Sequence, residues 1–370
     1  MASIQDRYET FVGEQLKSGA ELSLSMLGAS DIGQSILEAY AFGSEGRIVD
    51  PRLQTNFGDI DLENPVMFGA GWDKKGRAVK GLNALGFSGG DVGTILVFDQ
   101  KGNPKPRLWT IDDNHSVGLN RLGFNSPGME VVRSYLDKTG PVDFPIGANV
   151  GKNKLMPNKM APWAHAEVIK YLGGRVSYIV LGLSSPNTPD LRALQDKGPL
   201  RDNIQASFEA MGGVLPLWLK IDSERSEGEL DDIMEVAIEE GVTGLVACNT
   251  YMGSDLKGKY GLRWREEAGG LSGADDEYRA RTTSVIRRIY EQAGDELDII
   301  GAGGVSDAMT AIDKMRAGAS AVQVVTAIRP SKGKVAANII RGMVEYMDEE
   351  GWDKVTDLIG VDTDRGSKAA

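Results

Sequence analysis

The fold class is decided by one stretch late in the chain, Ile299-Ile300-Gly301-Ala302-Gly303-Gly304-Val305. A short β-branched strand ends there in a glycine turn, the helical pattern Asp307–Ala317 follows, and a second apolar run, Ala321–Val325, comes after the helix. This strand–helix–strand order is typical of a βαβ unit, whose two strands run parallel. The stretch therefore predicts a parallel sheet covered by helices.

The same unit recurs upstream from residue 66. Eight short apolar runs alternate with helical patterns, and several are continuous and rich in β-branched residues, as strands buried on both faces should be. Eight such repeats favour an α/β fold of the (β/α)8 TIM barrel type over an open doubly wound sheet. The predicted strands are Val66–Ala70, Asp91–Ile95, Ile146–Val150, Tyr178–Gly182, Leu217–Ile221, Gly244–Cys248, Ile299–Ala302 and Ala321–Val325.

Three segments are predicted along the chain. Residues 51–346 would form the barrel, and residues 347–370 an acidic helix that runs into a polar tail, Asp362–Ala370, which we expect to be frayed. Residues 1–50 would form an N-terminal helical extension, either packed on the barrel as support or folded as a hairpin that admits an apolar co-substrate. Its apolar stripes are Tyr8, Phe11, Val12 and Leu16 in a first helix, and Ile32, Ile36, Leu37 and Tyr40 in a second.

Charge and cysteine content exclude several classes of protein. The formal net charge of −12 at pH 7 argues against a nucleic-acid partner, because nucleic-acid-binding proteins need clustered Lys and Arg. The single cysteine, Cys248, excludes an intrachain disulfide and an iron–sulfur cluster held by four cysteines, which fits a reducing cytoplasm. No apolar run approaches the roughly 18 residues that span a bilayer, so we expect membrane contact to be at most peripheral, at the inner face.

The two histidines give no support for a metal site. His115 lies in a predicted loop and His165 in a helical stretch, so the sequence offers neither a cluster of metal ligands nor a Ser-His-Asp triad. We therefore expect no metal, and a structural or surface role for both histidines.

The glycine turn Gly301–Val305 predicts an anion site. It follows a strand and opens a helix, so N–H groups at the helix N-terminus can bind a phosphate. The loops after strands seven and eight are the usual phosphate site of barrel enzymes, and strand eight also brings Gln323 and Thr326 to this place. A phosphate-bearing cofactor such as FMN is therefore favoured over the alternative, a tight turn that binds nothing.

Polar side chains follow several of the other strands, which predicts a site at one mouth of the barrel. Asparagine amides can donate to and accept from a planar amide-bearing ring, and lysine can balance a carboxylate or a reduced flavin. For any one asparagine, capping of a loop is the alternative. The side chains belong to Lys74, Asn120, Asn125, Asn149, the loop Ser184-Ser185-Pro186-Asn187-Thr188, Lys220, and Asn249-Thr250.

Together these strings resemble the dihydroorotate dehydrogenase family, from about Asn64 to about Met343. The resemblance implies an FMN enzyme that oxidises dihydroorotate to orotate in pyrimidine biosynthesis. The family's base precedes the proline of the strand-four loop; it is a serine in the quinone-linked class 2 enzymes, and here it is Ser185. The matching strings are Asn64-Pro65-Val66, Gly71-Trp72-Asp73-Lys74, Gly102–Leu108, Asn120–Asn125, Asn149–Lys154, Ser184–Thr188, Asn249-Thr250, Gly269–Gly273 and Gly301–Val305.

The resemblance also implies a role for each site residue. Ser185 would remove a proton from C5 of dihydroorotate while a hydride leaves C6 for the flavin N5, and Phe124 and Thr188 would assist at the family's water-relay positions. The substrate would be held by Lys74, Asn120, Asn187, Asn249 and Thr250. The flavin would be held by Ala70, Gly71, Thr94, Asn149, Lys220, Gly273, Gly303, Gly304 and Thr326.

Departures from the family pattern concern the substrate and the electron acceptor. This chain has Gly182 where the family places an asparagine three residues before the serine, and Cys248 and Val325 differ from the residues common beside the flavin. The N-terminal hairpin lacks a histidine and Thr110 stands near an arginine position, although a quinone is still the favoured acceptor. The alternatives are a related flavin oxidoreductase acting on another cyclic amide or enone, and a non-catalytic barrel that binds FMN.

Overall fold

Thirteen strands are present in the part of the chain that the structure, a computed structural model, describes: residue 27 and residues 30–43, 46–185 and 190–366. In chain order they are β1 (Thr55–Phe57), β2 (Ile60–Leu62), β3 (Val66–Phe68), β4 (Gly89–Ile95), β5 (Leu108–Thr110), β6 (Val117–Asn120), β7 (Ile146–Val150), β8 (Tyr178–Leu181), β9 (Leu217–Ile221), β10 (Gly244–Ala247), β11 (Gly270–Gly273), β12 (Asp298–Ala302) and β13 (Ala321–Val324).

Eight of these strands close into a barrel. Strands β3, β4, β7, β8, β9, β10, β12 and β13 follow one another around it in chain order, all neighbours are parallel, and β13 pairs with β3 to complete the ring. Each of the eight predicted runs is one of these strands. The predicted ends differ most at β3, which stops at Phe68 instead of Ala70, and at β4, which begins at Gly89 instead of Asp91. The predicted (β/α)8 barrel is confirmed.

Helices cover the outside of the barrel. In chain order those described are α1 (Asp31–Phe42), α2 (Val79–Ala84), α3 (Met129–Thr139), α4 (Ala161–Leu172), α5 (Lys197–Met211), α6 (Glu227–Glu239), α7 (Ser254–Gly258), α8 (Leu262–Glu266), α9 (Asp276–Ala293), α10 (Ala308–Arg316) and α11 (Val335–Glu350).

Helix α10 shows why the stretch that decides the fold adopts its conformation. The Asp307 carboxylate accepts a hydrogen bond from the Thr310 N–H at 2.9 Å, and the Thr310 hydroxyl accepts one from the Asp307 N–H at 3.0 Å. This reciprocal cap satisfies N–H groups that have no partner inside the helix. The predicted helix Asp307–Ala317 is therefore confirmed, with its two end residues serving as caps.

The described part of the N-terminal extension is helix α1, which packs on the barrel. Leu37 and Tyr40 are buried, and the Tyr40 hydroxyl donates to the backbone carbonyl of Lys332 at 3.0 Å. Ile32, which we placed on the same apolar stripe, is 76% exposed, so the buried face is narrower than predicted. The residues of the first predicted stripe, Tyr8, Phe11, Val12 and Leu16, lie outside the described residues.

A short antiparallel hairpin, β1–β2, closes the amino ends of the barrel strands. Phe57 on this hairpin packs against Tyr178 and Trp218, with ring centroids 5.2 and 5.3 Å apart. The Gly58 N–H donates to the Asp298 carboxylate at 2.6 Å, which fixes the hairpin to β12. Because this end is filled by aromatic rings, an open site is left for the carboxyl ends of the strands.

A second small sheet stands at the carboxyl ends of the barrel strands. Strands β11, β6 and β5 pair in that order and antiparallel. Trp109 on β5 packs edge-on against Trp264 with centroids 5.9 Å apart, and the Arg121 guanidinium lies 5.5 Å from the Trp109 ring. The sheet forms a wall above the barrel mouth that the sequence pattern did not predict.

The C-terminal segment is better ordered than expected. Helix α11 begins at Val335, so the predicted boundary at 347 falls within it. After the helix, Val355 and Leu358 are fully buried, and Asp362 pairs with Arg316. The polar tail that we expected to fray begins at Asp362. For its described residues, 362–366, the expectation is wrong, because Thr363 is buried and the Arg365 guanidinium donates to the carbonyl of Glu291 at 2.9 Å.

Candidate active site

A cavity of about 970 Å³ opens at the carboxyl ends of the barrel strands. Its walls include fifteen of the seventeen residues that the sequence singled out; the other two, Asn187 and Thr188, lie outside the described residues. The strand ends meet here because all eight strands run in one direction. The fifteen residues are Ala70, Gly71, Lys74, Thr94, Asn120, Phe124, Asn149, Ser185, Lys220, Asn249, Thr250, Gly273, Gly303, Gly304 and Thr326.

The Gly303-Gly304 turn has the geometry of an anion cradle. Both residues have positive φ, 92° and 83°, and a Cβ on either would lie 2.7 Å from an atom of helix α9, so side chains are excluded. Among the described residues, no hydrogen bond is donated by the N–H groups of Gly303, Gly304 or Val305. Buried backbone donors are rarely left without a partner, so this cradle fits the phosphate of a cofactor.

A side-chain amide at another strand end of the cavity is also left without a protein partner among the described residues. Asn149 at the end of β7 accepts a hydrogen bond from the Thr94 hydroxyl at 2.7 Å through its Oδ1. Its Nδ2 is buried and has no partner among the described residues. Gly182 is adjacent, since a Cβ there would lie 3.0 Å from Asn149 Oδ1. An unpaired donor of this kind suits the carbonyl or nitrogen of a planar ring.

Lys220 stands at the end of a polar chain that runs through the barrel interior. Its ammonium lies 3.4 Å from Gln323 Oε1, and Gln323 Nε2 donates to Asp91 at 2.8 Å. The other oxygen of Asp91 accepts from the Tyr178 hydroxyl at 2.7 Å. Burial raises the pKa of Asp91 and lowers the pKa of Lys220, while their mutual attraction opposes both shifts. The buried Lys220 ammonium thus lies at the cavity, and the Asp91 carboxylate in the barrel interior partly balances its charge.

The loop after β8 carries two buried serines. Ser184 accepts a hydrogen bond from Asn249 Nδ2 at 3.1 Å, which ties the loop after β8 to the loop after β10. Ser185 is 7% exposed and lines the cavity. Asn249 is fixed further by the Tyr278 hydroxyl, which donates to its carbonyl at 3.2 Å, and its Oδ1 accepts from the Thr250 N–H at 2.9 Å. These contacts hold the polar groups of both loops at the same wall.

A further part of the cavity wall comes from the segment around β6. Asn120 is the last residue of β6, and Phe124 follows with a positive φ of 51°. Gln100 Nε2 holds this turn by donating to the carbonyls of Gly123 and Phe124 at 3.1 and 3.0 Å. The Lys74 ammonium, which also lines the cavity, donates to the carbonyl of Gly71. The cavity therefore has hydrogen-bonding groups on two sides.

Several lining residues were not predicted. We expected a structural or surface role for His115. That expectation is incomplete, because this residue lines the cavity and its Nδ1 lies 3.3 Å from the Thr110 hydroxyl. The small sheet β5–β6–β11 brings it there, and a loop histidine carries no sequence signal for that position. His165, by contrast, is fully buried, in agreement with a structural role. Other unpredicted lining residues are Leu108, Trp109, Tyr278, Arg329 and Lys332.

Comparison with known proteins agrees with this geometry. A sequence profile described as "Dihydroorotate dehydrogenase" matches residues 52–347, which is most of the chain. The chain belongs to the dihydroorotate dehydrogenase family. The family, the barrel and a dihydroorotate dehydrogenase activity in pyrimidine biosynthesis, as predicted from the sequence, are thereby confirmed.

Relatives within the dihydroorotate dehydrogenase family match over nearly their whole length. A "Dihydroorotate dehydrogenase (quinone)" of Halobacterium salinarum is 36% identical over 324 residues, covering 87% of this chain and 90% of the relative. One of Anaeromyxobacter sp. is 37% identical over 331 residues, covering 87% and 88%. The solved ligand-free enzyme of Eimeria tenella is 31% identical with a TM-score of 0.81, covering 93% of this chain and 99% of that one.

A structure of the Eimeria tenella enzyme "in complex with ferulenol" is 32% identical with a TM-score of 0.79 and covers 85% of this chain and 89% of that one. Among the residues the structure describes, no helix is long and apolar enough to cross a membrane.

Proposed function

We propose that the chain oxidises dihydroorotate to orotate with FMN bound in the cavity, Ser185 acting as the base, and a quinone as the electron acceptor. The observation that carries the proposal is the convergence on one cavity of Ser185, the Gly303-Gly304 cradle and Lys220. The cavity volume of about 970 Å³ is at the upper end of the range for ligand pockets, which suits a cofactor and a substrate together.

FMN would be held by groups that have spare hydrogen-bonding capacity. The phosphate would bind the N–H groups of Gly303 and Gly304, with the Thr326 hydroxyl nearby. Asn149 Nδ2, which has no partner among the described residues, and Lys220 would bind the polar edge of the ring. The remaining flavin contacts would come from Ala70, Gly71, Thr94 and Gly273. Bound FMN would supply the hydride acceptor that no side chain of the chain can provide.

Dihydroorotate would lie between the flavin and the serine loop. Lys74 would bind the substrate carboxylate, and Asn120, Asn187, Asn249 and Thr250 the ring. Ser185 would take the C5 proton while the C6 hydride leaves for the cofactor, so that the substrate loses both hydrogens and gains a double bond. A serine hydroxyl is a weak base, so water at Phe124 and Thr188 would carry its proton away.

A quinone is favoured as acceptor because the names of the relatives specify it. In addition to the serine loop, the cavity wall includes the side chains of Leu108, Trp72 and Val325, which offer apolar surface for such a molecule. Quinones are lipid-soluble, so this proposal entails a peripheral contact with the inner face of the membrane of an otherwise cytoplasmic protein.

The test separates the base from the binding of cofactor. Purified protein should be yellow, and anaerobic dihydroorotate should bleach the flavin absorbance. Ser185→Ala should retain FMN and lose this bleaching at neutral pH, by at least about 100-fold in rate, because general-base catalysis is removed. Ser184→Ala is the matched control: it loses only the contact with Asn249, so it should bind dihydroorotate more weakly and still bleach.

Reoxidation of the reduced flavin by quinone, fumarate or NAD in parallel would then identify the acceptor. Protein that takes up no FMN would contradict the whole proposal. Normal bleaching in Ser185→Ala would contradict the role of Ser185 alone. Gly182 motivates a second candidate, a related oxidoreductase acting on another cyclic amide or enone. In that case dihydroorotate would leave the wild-type flavin oxidised.

A further inference from the structure

A lysine is buried directly behind the Gly303-Gly304 cradle. Lys314 on helix α10 is 0% exposed, and its stem packs against β12, where a Cβ at Gly301 would lie 3.2 Å from Lys314 Cβ. Its ammonium donates to the hydroxyls of Thr282 and Thr283 on α9, at 2.9 and 3.2 Å. The Thr282 hydroxyl is in turn 3.0 Å from the carbonyl of Gly303. One hydroxyl therefore separates the ammonium from the backbone of the cradle.

The charged groups around Lys314 do not neutralise the positive charge of its ammonium. Among the described residues no carboxylate lies within 4.0 Å of its nitrogen. The ionisable groups that face it are the Cys248 thiol at the end of β10, the Arg279 guanidinium on α9 and the Asp313 carboxylate on its own helix. Burial raises the pKa of Cys248 to about 12, so the thiol carries no charge at neutral pH.

Lys314 titrates near pH 7, so that its charged and neutral forms are both populated at neutral pH. Burial, with a smaller contribution from Arg279, lowers the pKa of Lys314 to about 7, while Cys248 and Asp313 oppose the shift. A buried cation without an adjacent anion is costly, and a bound ligand of opposite charge would reduce that cost. The cradle on the other side of Thr282 has backbone donors and fits a phosphate.

We propose that Lys314 is a positioning residue for the cofactor phosphate: its ammonium holds the Gly303 backbone through Thr282 and balances the phosphate charge from behind the cradle. The inference rests on the proposed binding of FMN. Its consequence is that the phosphate dianion favours the protonated lysine, so that FMN binding takes up a proton near pH 7 and weakens at higher pH. Riboflavin, which has the same ring without the phosphate, should show neither effect.

The experiment compares the retention of FMN and riboflavin by the full-length protein. Protein loaded with either flavin is diluted at pH 7 and at pH 9, and released flavin is measured by its fluorescence. Between these values the phosphate is already a dianion, because its second pKa is about 6. Wild-type affinity for FMN should fall about 10-fold from pH 7 to pH 9, as expected if binding raises the lysine pKa by one unit or more. Affinity for riboflavin should stay constant.

Two variants extend the comparison. Lys314→Met should lose about 10-fold in FMN affinity at pH 7 and become insensitive to pH, with riboflavin affinity unchanged, because only the charge is removed from a buried site. Thr282→Val should loosen the cradle and weaken FMN more than riboflavin at both pH values. Lys170→Met, at an exposed position on α4, is the matched control and should behave as wild type.

The outcomes are distinguishable. Equal losses for both flavins in Lys314→Met, or an FMN affinity in wild type that does not change between pH 7 and pH 9, would overturn the role of Lys314 and leave the proposed function standing. If wild type retains neither flavin, the proposed function fails, and the inference fails with it. If Lys314→Met does not fold, the retention of FMN and riboflavin by the wild type at pH 7 and pH 9 is enough to test the proposal.

Discussion

At the scale of single residues, Gly182 is the departure from the family pattern that bears on substrate recognition in the sequence-based prediction. The sequence identified it as a glycine in place of an asparagine, but its neighbours are visible only in the structure. A Cβ at this position would lie 3.0 Å from both Asn149 Oδ1 and the carbonyl of Val150, closer than most Cβ contacts. Its φ lies outside the left-handed region, so space and not backbone strain favours glycine. We infer that Asn149 Nδ2 makes the ligand contact of the missing amide.

The variant Gly182→Ala tests this inference. The added methyl group should displace the Asn149 amide by a few tenths of an ångström, and kcat/KM for dihydroorotate should fall about 10-fold, since small displacements in an active site are costly. Steady-state kinetics and thermal unfolding would be measured together. Gly174→Ala is the matched control, because a Cβ there meets nothing within 4 Å. Unchanged kinetics in Gly182→Ala would show that Asn149 has room to adjust.

At the scale of elements, the packing of helices α4 and α5 depends on a neutral histidine. His165 on α4 is fully buried, and neither ring nitrogen has a hydrogen-bond partner among the described residues. Burial, with a smaller contribution from the Lys152 ammonium, lowers its pKa to about 4, and the Asn203 side chain on α5 acts in the opposite direction. The sequence predicted a structural or surface role for this histidine, but helical spacing alone could not tell which.

This burial makes stability depend on pH. The unfolded chain binds a proton at His165 below about pH 6.5, while the folded protein does not until about pH 4. The contribution of neutral His165 to the free energy of unfolding should therefore be fully present above about pH 6.5. It should be lost as the pH falls towards 4, which lowers the free energy of unfolding by up to about 3 kcal/mol. Urea unfolding of wild type and His165→Leu at pH 7 and pH 4.5 measures it. The variant should lose less stability on acidification, whereas the control His115→Gln should match wild type. A parallel loss in all three proteins would refute the assignment.

At the scale of the whole molecule, the polar chain below the site ties opposite sides of the barrel together. Asp91 on β4 is bonded to Tyr178 on β8 and to Gln323 on β13, which in turn reaches Lys220 on β9. All four strands point their side chains into the same interior because of the barrel's closure. These hydrogen-bonded side chains therefore both support Lys220 in the active site and stabilise the barrel.

Tyr178→Phe removes one member of this chain and keeps the ring. The Asp91 oxygen that accepts from the hydroxyl would be left buried without that donor, so the free energy of unfolding should fall by about 1–3 kcal/mol. Denaturant unfolding of FMN-free protein measures the change. Tyr135→Phe, on helix α3 at the surface, should lose nothing comparable, as its ring contacts with Arg77 and Lys138 are retained. Equal stability of both variants would mean that Asp91 finds another donor.

The sequence by itself determined the architecture and predicted most of the polar residues that line the cavity. Strands such as β7 and β9 were predicted with their observed ends, because a strand buried on both faces is a mostly apolar run. Gly303 and Gly304 were predicted as a cradle, because a strand followed by glycines and a helix N-terminus leaves backbone donors free. Ser185, Lys74 and Asn249 were placed at one mouth, because parallel strands all end on the same side.

The tertiary structure alone decided the contacts between residues far apart in the chain. Lys314 meets Thr282 and the back of the cradle, His115 enters the cavity wall through the sheet of β5, β6 and β11, and Leu358 in the C-terminal segment is buried against the rest of the fold. Local periodicity reports which face of an element is apolar, but not which element covers it. A buried charge, a loop histidine or a short apolar pair in a polar tail therefore acquires its role only when the chain has closed around it.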